Sequence, residues 1–454
     1  HKLTKGEPGP ETVSVESLEG NNLVLVDEGH RGASGGDDGL WFSMRTDLCR
    51  GGFSFEYSAT FGQAVAGDTS LTDQYSKSVI FDYSYKYFFG DGFGKDYAIL
   101  NLDGTFDETL RNRYLIGGLL VFFEQLKLHH ENGSQYVPFQ IDKPLWVLVG
   151  SSVNSVRREG GAEVSDVIDV LLFLRDFCAN KKDSVSSLKS ILKDGLRASD
   201  GQDIFEGKFQ YLRSTGITAE RAFGEILEHV FNAPSGGVLS VERIKGSSGE
   251  IALRVGADSQ PFGVINVGDT PKLAKLCESS GLNVTELEFA DSFFQSINKK
   301  SSTITVLIGS KKFTEGWNSW RVSTLGLMNV GKSEGSQIIQ LFGRGVRLKG
   351  YGFSLKRSSR AELPNAIIAP EHLKILETLN VFGVRANYMA QFRQHLENEG
   401  ANADELIPVS IPIISNLDRL QPTKRKLKTL RIKSHVDGLS TSDGEAFRVL
   451  GHVS

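Results

Sequence analysis

Four short stretches of the 454-residue chain combine residue types that could do chemistry on a phosphorylated substrate. The first is Asp27-Glu28-Gly29-His30, directly after the apolar run Leu23-Val24-Leu25-Val26. A carboxylate at a strand tip can hold a Mg²⁺ bound to nucleotide phosphates, and an adjacent carboxylate can orient or deprotonate a water. A solvated acidic turn is the equal alternative for this stretch alone. The second is Ser58-Ala59-Thr60, after the alternating run Phe53-Ser54-Phe55-Glu56-Tyr57. Small hydroxyls at a strand end can hydrogen-bond a neighbouring loop, although a plain turn explains the tripeptide equally. The third is Phe313-Thr314-Glu315-Gly316-Trp317-Asn318, where Gly316 would let a ligand approach the backbone closely. An aromatic-anchored surface loop is the competing reading. The fourth is Gln340-Leu341-Phe342-Gly343-Arg344-Gly345-Val346-Arg347. Two arginines three apart would share a helix face, and guanidinium groups suit the charge on a transferring phosphoryl group. The glycines at 343 and 345 weigh against an ordinary basic surface helix.

The elements that must position these residues are legible from periodicity. A wholly apolar run at 23–26 and similar runs at 145–149, 262–267 and 303–308 fit strands buried on both faces, as in a parallel sheet. Helical patterns lie between them, at Glu108 to Leu128, Val164 to Cys178, Ala219 to Phe231 and Lys272 to Glu278. Strands alternating with helices predict an α/β fold with mostly parallel sheets. Residues 181–216, rich in Ser, Lys and Asp, read as a helical or loop insertion, and Gly237 to Val255 reads as a β-hairpin. After about Pro364 the pattern reads as helical, with one helix starting at Pro370-Glu371-His372 and another at Tyr388 to Leu396.

In order, Asp-Glu-x-His, Ser-Ala-Thr, a glycine-containing loop after a strand and Gln-x-x-Gly-Arg-x-x-Arg resemble motifs II, III, V and VI of superfamily 2 helicases. Leu145 to Val153 is similar to motif IV. Glu315-Gly316-Trp317-Asn318 and the run Gln337 to Leu348 most resemble the motor subunit of type III restriction enzymes. The resemblance covers about residues 20–350. It implies two RecA-like parallel-sheet lobes, with 1–105 the C-terminal part of a first lobe truncated at its N-terminus. Residues 106–365 would be the second lobe with an insertion at about 180–260, and 366–454 a helical C-terminal region with a basic segment. It implies an ATP-hydrolysing, DNA-dependent translocase or helicase of a restriction or phage-defence system, with ATP and Mg²⁺ as ligands. Asp27 would bind the metal, Glu28 would activate water, and His30 and Gln340 would couple nucleotide state. Ser58 and Thr60 would relay that state to DNA, Gly316 would line the nucleotide, and Arg344 and Arg347 would reach the phosphates. Two positions depart from the pattern. Gly29 stands where Ala is usual, and Asn318 where Asp is frequent.

Such motors also need a Gly-rich loop ending Gly-Lys-Ser/Thr before the acidic turn, and residues 1–26 hold none. Without an upstream phosphate loop, residues 1–454 should bind ATP poorly. The chain opens at His1 on a polar stretch, which reads as a fragment or processed product. One match to the phosphate-loop pattern does occur, at Gly326 to Ser333, between the third and fourth stretches; a switch built on Lys332 is the corresponding third reading. A nuclease-like pattern, Asp194 with Glu206-Gly207-Lys208, falls inside the polar insertion. For DNA, held by its backbone in double- or single-stranded form, the expected contacts are Lys424, Arg425, Lys426, Lys428 and Arg431, with Lys356, Arg357 and Arg360 as further candidates. The aromatic stretch Phe81 to Phe89 could stack on bases, though packing between lobes accounts for most of its rings. A degenerate, non-catalytic DNA-binding or scaffold subunit is the competing functional class. Methyltransferase or nuclease subunits are the implied protein partners.

Composition sets outer bounds. With 39% hydrophobic and 23% charged residues the chain is an ordinary globular sequence, and its net charge of −4 is neutral on nucleic acid. The longest apolar run, Leu115 to Phe123, is too short to cross a bilayer. Cys49, Cys178 and Cys277 have no metal-site or redox spacing, so a cytoplasmic location without a membrane partner is expected.

Overall fold

A computed structural model describes most of residues 2–384, together with Phe392, 435–436 and 439–440. Outside the described residues lie 5–9, 30–36, 59–76, 102–107, 151–156, 160–161, 199–200, 246–248, 289–290, 310–316, 329–334, most of 385–434, 437–438, 441–454 and a few single positions. The chain divides into two compact units, His1–Ala403 and Asp404–Ser454. In the second, the described residues form one antiparallel pair, His435–Val436 with Leu439–Ser440.

The first unit is α/β. Its strands are β1 (Leu23–Asp27), β2 (Phe53–Tyr57), β3 (Asp96–Leu100), β4 (Leu145–Gly150), β5 (Leu239–Ile244), β6 (Glu250–Val255), β7 (Gly263–Asn266), β8 (Asn283–Leu287), β9 (Val306–Gly309), β10 (Val322–Met328) and β11 (Thr378–Val384). The longer helices are α1 (Asp37–Leu48), α2 (Glu108–Tyr136), α3 (Asp166–Ala179), α4 (Lys181–Asp194), α5 (Ala219–His229), α6 (Thr270–Ser279) and α7 (Gly335–Gly345). Nine strands form one mixed sheet in the order β8-β5-β6-β7-β9-β4-β10-β11-β3. All its pairings are parallel except those of β6, which is antiparallel to both β5 and β7.

Burial on both faces explains why β4 is apolar at every residue from Leu145 to Val149. Trp146 and Leu148 point into the core that α2, α3, α4 and α5 build on one face. Leu145, Val147 and Val149 point to the opposite face, where α7 packs through Ile338, Leu341 and Phe342. Successive strand residues face opposite sides, so a strand covered twice needs no polar alternation. Within the first core, the Gln125 amide donates to the carbonyls of Ile375 and Thr378, at 2.7 and 2.8 Å, and accepts from Thr324 Oγ1 at 3.2 Å. It thereby ties α2 to β10 and to the start of β11.

The structure redraws several expected boundaries. Strand β3, expected within the first lobe, hydrogen-bonds β11 at the edge of the large sheet. Strand β11 lies where a helical region was expected. Its run Leu379-Asn380-Val381-Phe382 carries a polar residue that broke the apolar pattern, and before it the only helix is the short Leu373–Leu376. The second expected helix, 388–396, lies outside the described residues apart from Phe392. The polar stretch at 181–216 is structural too: α4 buries Ser184, Leu188 and Ile191 and turns its Lys residues outward. The expected hairpin forms as β5 and β6, and both strands join the large sheet.

The small sheet pairs β1 and β2 in parallel, Leu23 opposite Phe53 through Asp27 opposite Tyr57. Strand β1 is not buried on both faces as expected. Leu23 and Leu25 are each 65% exposed, while Val26 is buried and Val24 packs with Val15, Met44 and Leu48. The phosphate-loop match also changes character: Gly326 to Met328 belong to β10, and a Cβ on Gly326 would meet Leu148 Cδ2 at 2.4 Å. That glycine serves strand packing, and the first three residues of the pattern are committed to the ladder rather than to a phosphate cradle. Residues 329–334 lie outside the description. Among the described residues, no helix is long and apolar enough to cross a membrane.

Candidate functional site

Asp27 closes β1 and is exposed at the strand tip. Glu28 follows in the left-handed region, φ 54°, which swings its side chain off the line of the strand. The turn is locked from below. Gly29 N donates to the Tyr57 carbonyl at 3.0 Å. The buried Arg45 of α1 donates to the Gly29 carbonyl at 3.0 Å and pairs with Glu56 of β2, also at 3.0 Å. A Cβ at position 29 would meet Glu56 Cβ at 2.6 Å, so the glycine that departs from the family pattern is what this packing requires. Arg45 and Glu56 were not singled out in the sequence. The available signal was a lone carboxylate inside an otherwise apolar and hydroxyl-bearing strand, which calls for a buried partner.

The Glu28 carboxylate is met from two directions. Ser58 Oγ, just past β2, donates to Oε2 at 3.4 Å. Gln340 Nε2, in the middle of α7, donates to Oε1 at 3.0 Å. Residues 312 apart in sequence thus join the acidic turn of the small sheet to the helix that carries the arginines. Arg344 lies four residues after Gln340, one turn further along α7 and on the same face.

The two arginines do not share a helix face. Helix α7 ends at Gly345, where a Cβ would meet Leu379 Cδ2 at 2.8 Å, and Arg347 lies beyond the end. The close approach to β11 and the Lys95 N–H bond to the Val346 carbonyl, 2.6 Å, turn the chain away. Both guanidiniums nevertheless return to the third stretch. Arg344 Nη1 donates to the Trp317 carbonyl, and Arg347 Nη1 donates to Asn318 Oδ1. Burial, followed by the neighbouring charge of Arg344, lowers the Arg347 pKa from its ordinary value. Asn318, where Asp is frequent in the family pattern, serves as a neutral acceptor for Arg347.

Several expected site residues lie outside the described residues: His30, Thr60, Gly316, Lys332 and the basic group Lys424, Arg425, Lys426, Lys428 and Arg431. Arg357 is described and is not a DNA contact. It is buried, its guanidinium donates to the carbonyls of Phe89, Phe93 and Gly94, and it stacks 4.0 Å over the Phe89 ring. Lys356 covers the Phe93 ring at 4.9 Å, and Arg360 is exposed. The aromatic stretch divides. Tyr85 packs on Phe342 at 5.2 Å and Phe89 on Tyr97 at 5.9 Å, whereas Phe81, Tyr83 and Tyr87 are exposed and stack on one another. Of the nuclease-like pattern, Asp194 and Glu206 are exposed and Lys208 is bonded to Asn380.

Among the described residues no three His, Cys, Asp or Glu side chains cluster as a metal cage. No protein family, no curated protein and no solved structure matches the chain.

Proposed function

We propose that this chain is part of an ATP-driven DNA translocase or helicase motor, of the kind that serves restriction or phage defence. In this reading the small sheet belongs to a first RecA-like lobe and the large sheet forms the second. The single observation that carries it is the Glu28–Gln340 hydrogen bond, which sets the acidic turn against the arginine-bearing helix. Mg²⁺-bound ATP would supply an electrophilic γ-phosphoryl group. Asp27 would hold the metal through water, and Glu28 would orient and deprotonate the attacking water. Arg344 and Arg347 would leave Trp317 and Asn318 for the phosphates when the lobes close, and hydrolysis would return them. Breaking and remaking those bonds would couple nucleotide state to movement along the DNA backbone.

The test is DNA-stimulated ATP hydrolysis by the intact protein. Glu28→Gln should lower kcat by about 10²-fold or more, the scale of a lost general base. Equal rates in the two proteins would remove Glu28 from the mechanism. A second reading draws on the engagement of both arginines by protein groups. In it, the chain is a non-catalytic DNA-binding or scaffold subunit on the same fold. DNA binding without any binding of ATP by the intact protein would favour it.

A further inference from the structure

A recess of about 340 Å³ opens beside the start of β11, between helix α2 and the short helix Leu373–Leu376. Its volume is within the range of small-molecule sites. Two ammonium groups, Lys208 and Lys374, line it, with His372 and the amide of Asn380. None of these residues belongs to the candidate motor site.

The charges in the recess are unequally satisfied. The Glu124 carboxylate, buried at the floor, accepts three backbone N–H groups, from Phe209, Tyr211 and Leu212, at 3.1, 2.9 and 3.3 Å. It caps the turn that presents Lys208, and the charges of Glu124 and Asp96 favour the Lys208 ammonium while that of Lys374 opposes it. Lys208 Nζ donates to the neutral Asn380 Oδ1 at 2.7 Å, its one side-chain hydrogen bond among the described residues. An ammonium has three donors, so two remain for a ligand. Lys374 stands 81% exposed on the rim, ion-paired with Asp96 at 3.6 Å. Both walls are held in costly backbone conformations. Phe209, next to Lys208, and His372, two residues before Lys374, each sit at φ 64° in the left-handed region. Such strain in non-glycine residues persists where the surroundings over-determine it, and it is concentrated at ligand sites.

We propose that this recess binds a small dianion, a phosphate monoester or a dicarboxylate, clamped between Lys208 and Lys374. Two anionic oxygens each take one of the remaining Lys208 donors and Asn380 orients the amine, while Lys374 closes from the rim as a second charge. Burial lowers the Lys208 pKa to about 8. An arriving anion favours the ammonium form, so above pH 8 binding takes up a proton.

The proposal does not depend on the motor reading, and its test leaves ATP and DNA out of the first step. Calorimetric titration with inorganic phosphate and, separately, with succinate is run against chloride at matched ionic strength. Saturable binding of phosphate alone identifies the phosphate class, and of succinate alone the dicarboxylate class. Lys208→Met should weaken that binding by at least about tenfold, equal to about 1.4 kcal/mol, and abolish the proton uptake seen at pH 8.5. Asn380→Asp keeps the shape and gives Lys208 a carboxylate partner. It should block binding to a similar extent, and it serves as the second probe if the methionine variant does not fold. The proposal is overturned if neither anion binds saturably, if binding survives Asn380→Asp undiminished, or if a DNA duplex competes the anion away.

Discussion

Leu145-Trp146-Val147-Leu148-Val149 and Leu23-Val24-Leu25-Val26 are near-equivalent strings, yet the first is buried at every position while the second leaves Leu23 and Leu25 65% exposed. The difference comes from what covers the sheet. Strand β4 is central among nine strands, with α2 and α3 on one face and α7 on the other. Among the described residues, strand β1 has one strand partner, and its buried face meets Val15, Met44 and Leu48 with a few partly buried neighbours. An apolar run therefore reports a capacity for two-sided burial, and the neighbours decide whether it is used. The sharpest way to break the comparison is Trp146→Ala. Trp146 is 1% exposed and packs on Phe122 and Phe382, each ring at 5.8 Å, so its loss should cost about 3–5 kcal/mol in denaturant unfolding. Leu25→Ala, on the open face of β1, should cost less than about 1 kcal/mol in the same measurement. Similar costs for both would mean that the small sheet is buried as deeply in solution.

The same contrast explains what could be read in advance. The parallel α/β class, the strands at 145–150 and 306–309, the hairpin and the helices beginning near 108, 166, 219 and 270 all follow from local periodicity. Strand β11 was hidden because Asn380, a polar residue serving Lys208, interrupts its run. Helix α4 looked like an insertion because its exposed residues are all polar or charged, which masks the buried pair Leu188 and Ile191. At the candidate site, Glu28 and Gln340 were recognisable by type and order. Their contact was not, since it joins residues 312 apart and depends on the left-handed turn at Glu28. The clamp of Arg45 on Glu56 left only a faint trace, one carboxylate in a strand.

That clamp provides the next test, directed at the small sheet alone. Arg45 is 8% exposed and Glu56 19% in their side chains. Arg45→Met would leave Glu56 buried without its cation and the Gly29 carbonyl without a donor, at a cost of about 3 kcal/mol. The loss should be local. Hydrogen exchange should rise across 23–29 and 53–57 and remain unchanged across 145–149, where none of the clamp's partners lie. Equal loss of protection in both sheets would show that they unfold as one cooperative body.

The smallest effect bears most directly on the link between the sheets. Glu28 and Gln340 meet through one half-buried, charge-assisted hydrogen bond at 3.0 Å, and Ser58 shares the same carboxylate at 3.4 Å. In a double-mutant cycle of Glu28→Ala and Gln340→Ala, read by urea unfolding, the coupling should be about 1 kcal/mol. Each single loss should be of about the same size and no larger, because solvent can reach the partner left behind on this face. A coupling below about 0.3 kcal/mol, within the scatter expected for independent sites, would mean that the acidic turn and α7 are only neighbours. A coupling near the expected value makes the pair a hinge contact that can be broken at little cost. Under the proposed motor function, opening and closing on each turnover would need a contact of that strength, since a bond of several kcal/mol here would hold the two sheets in one state.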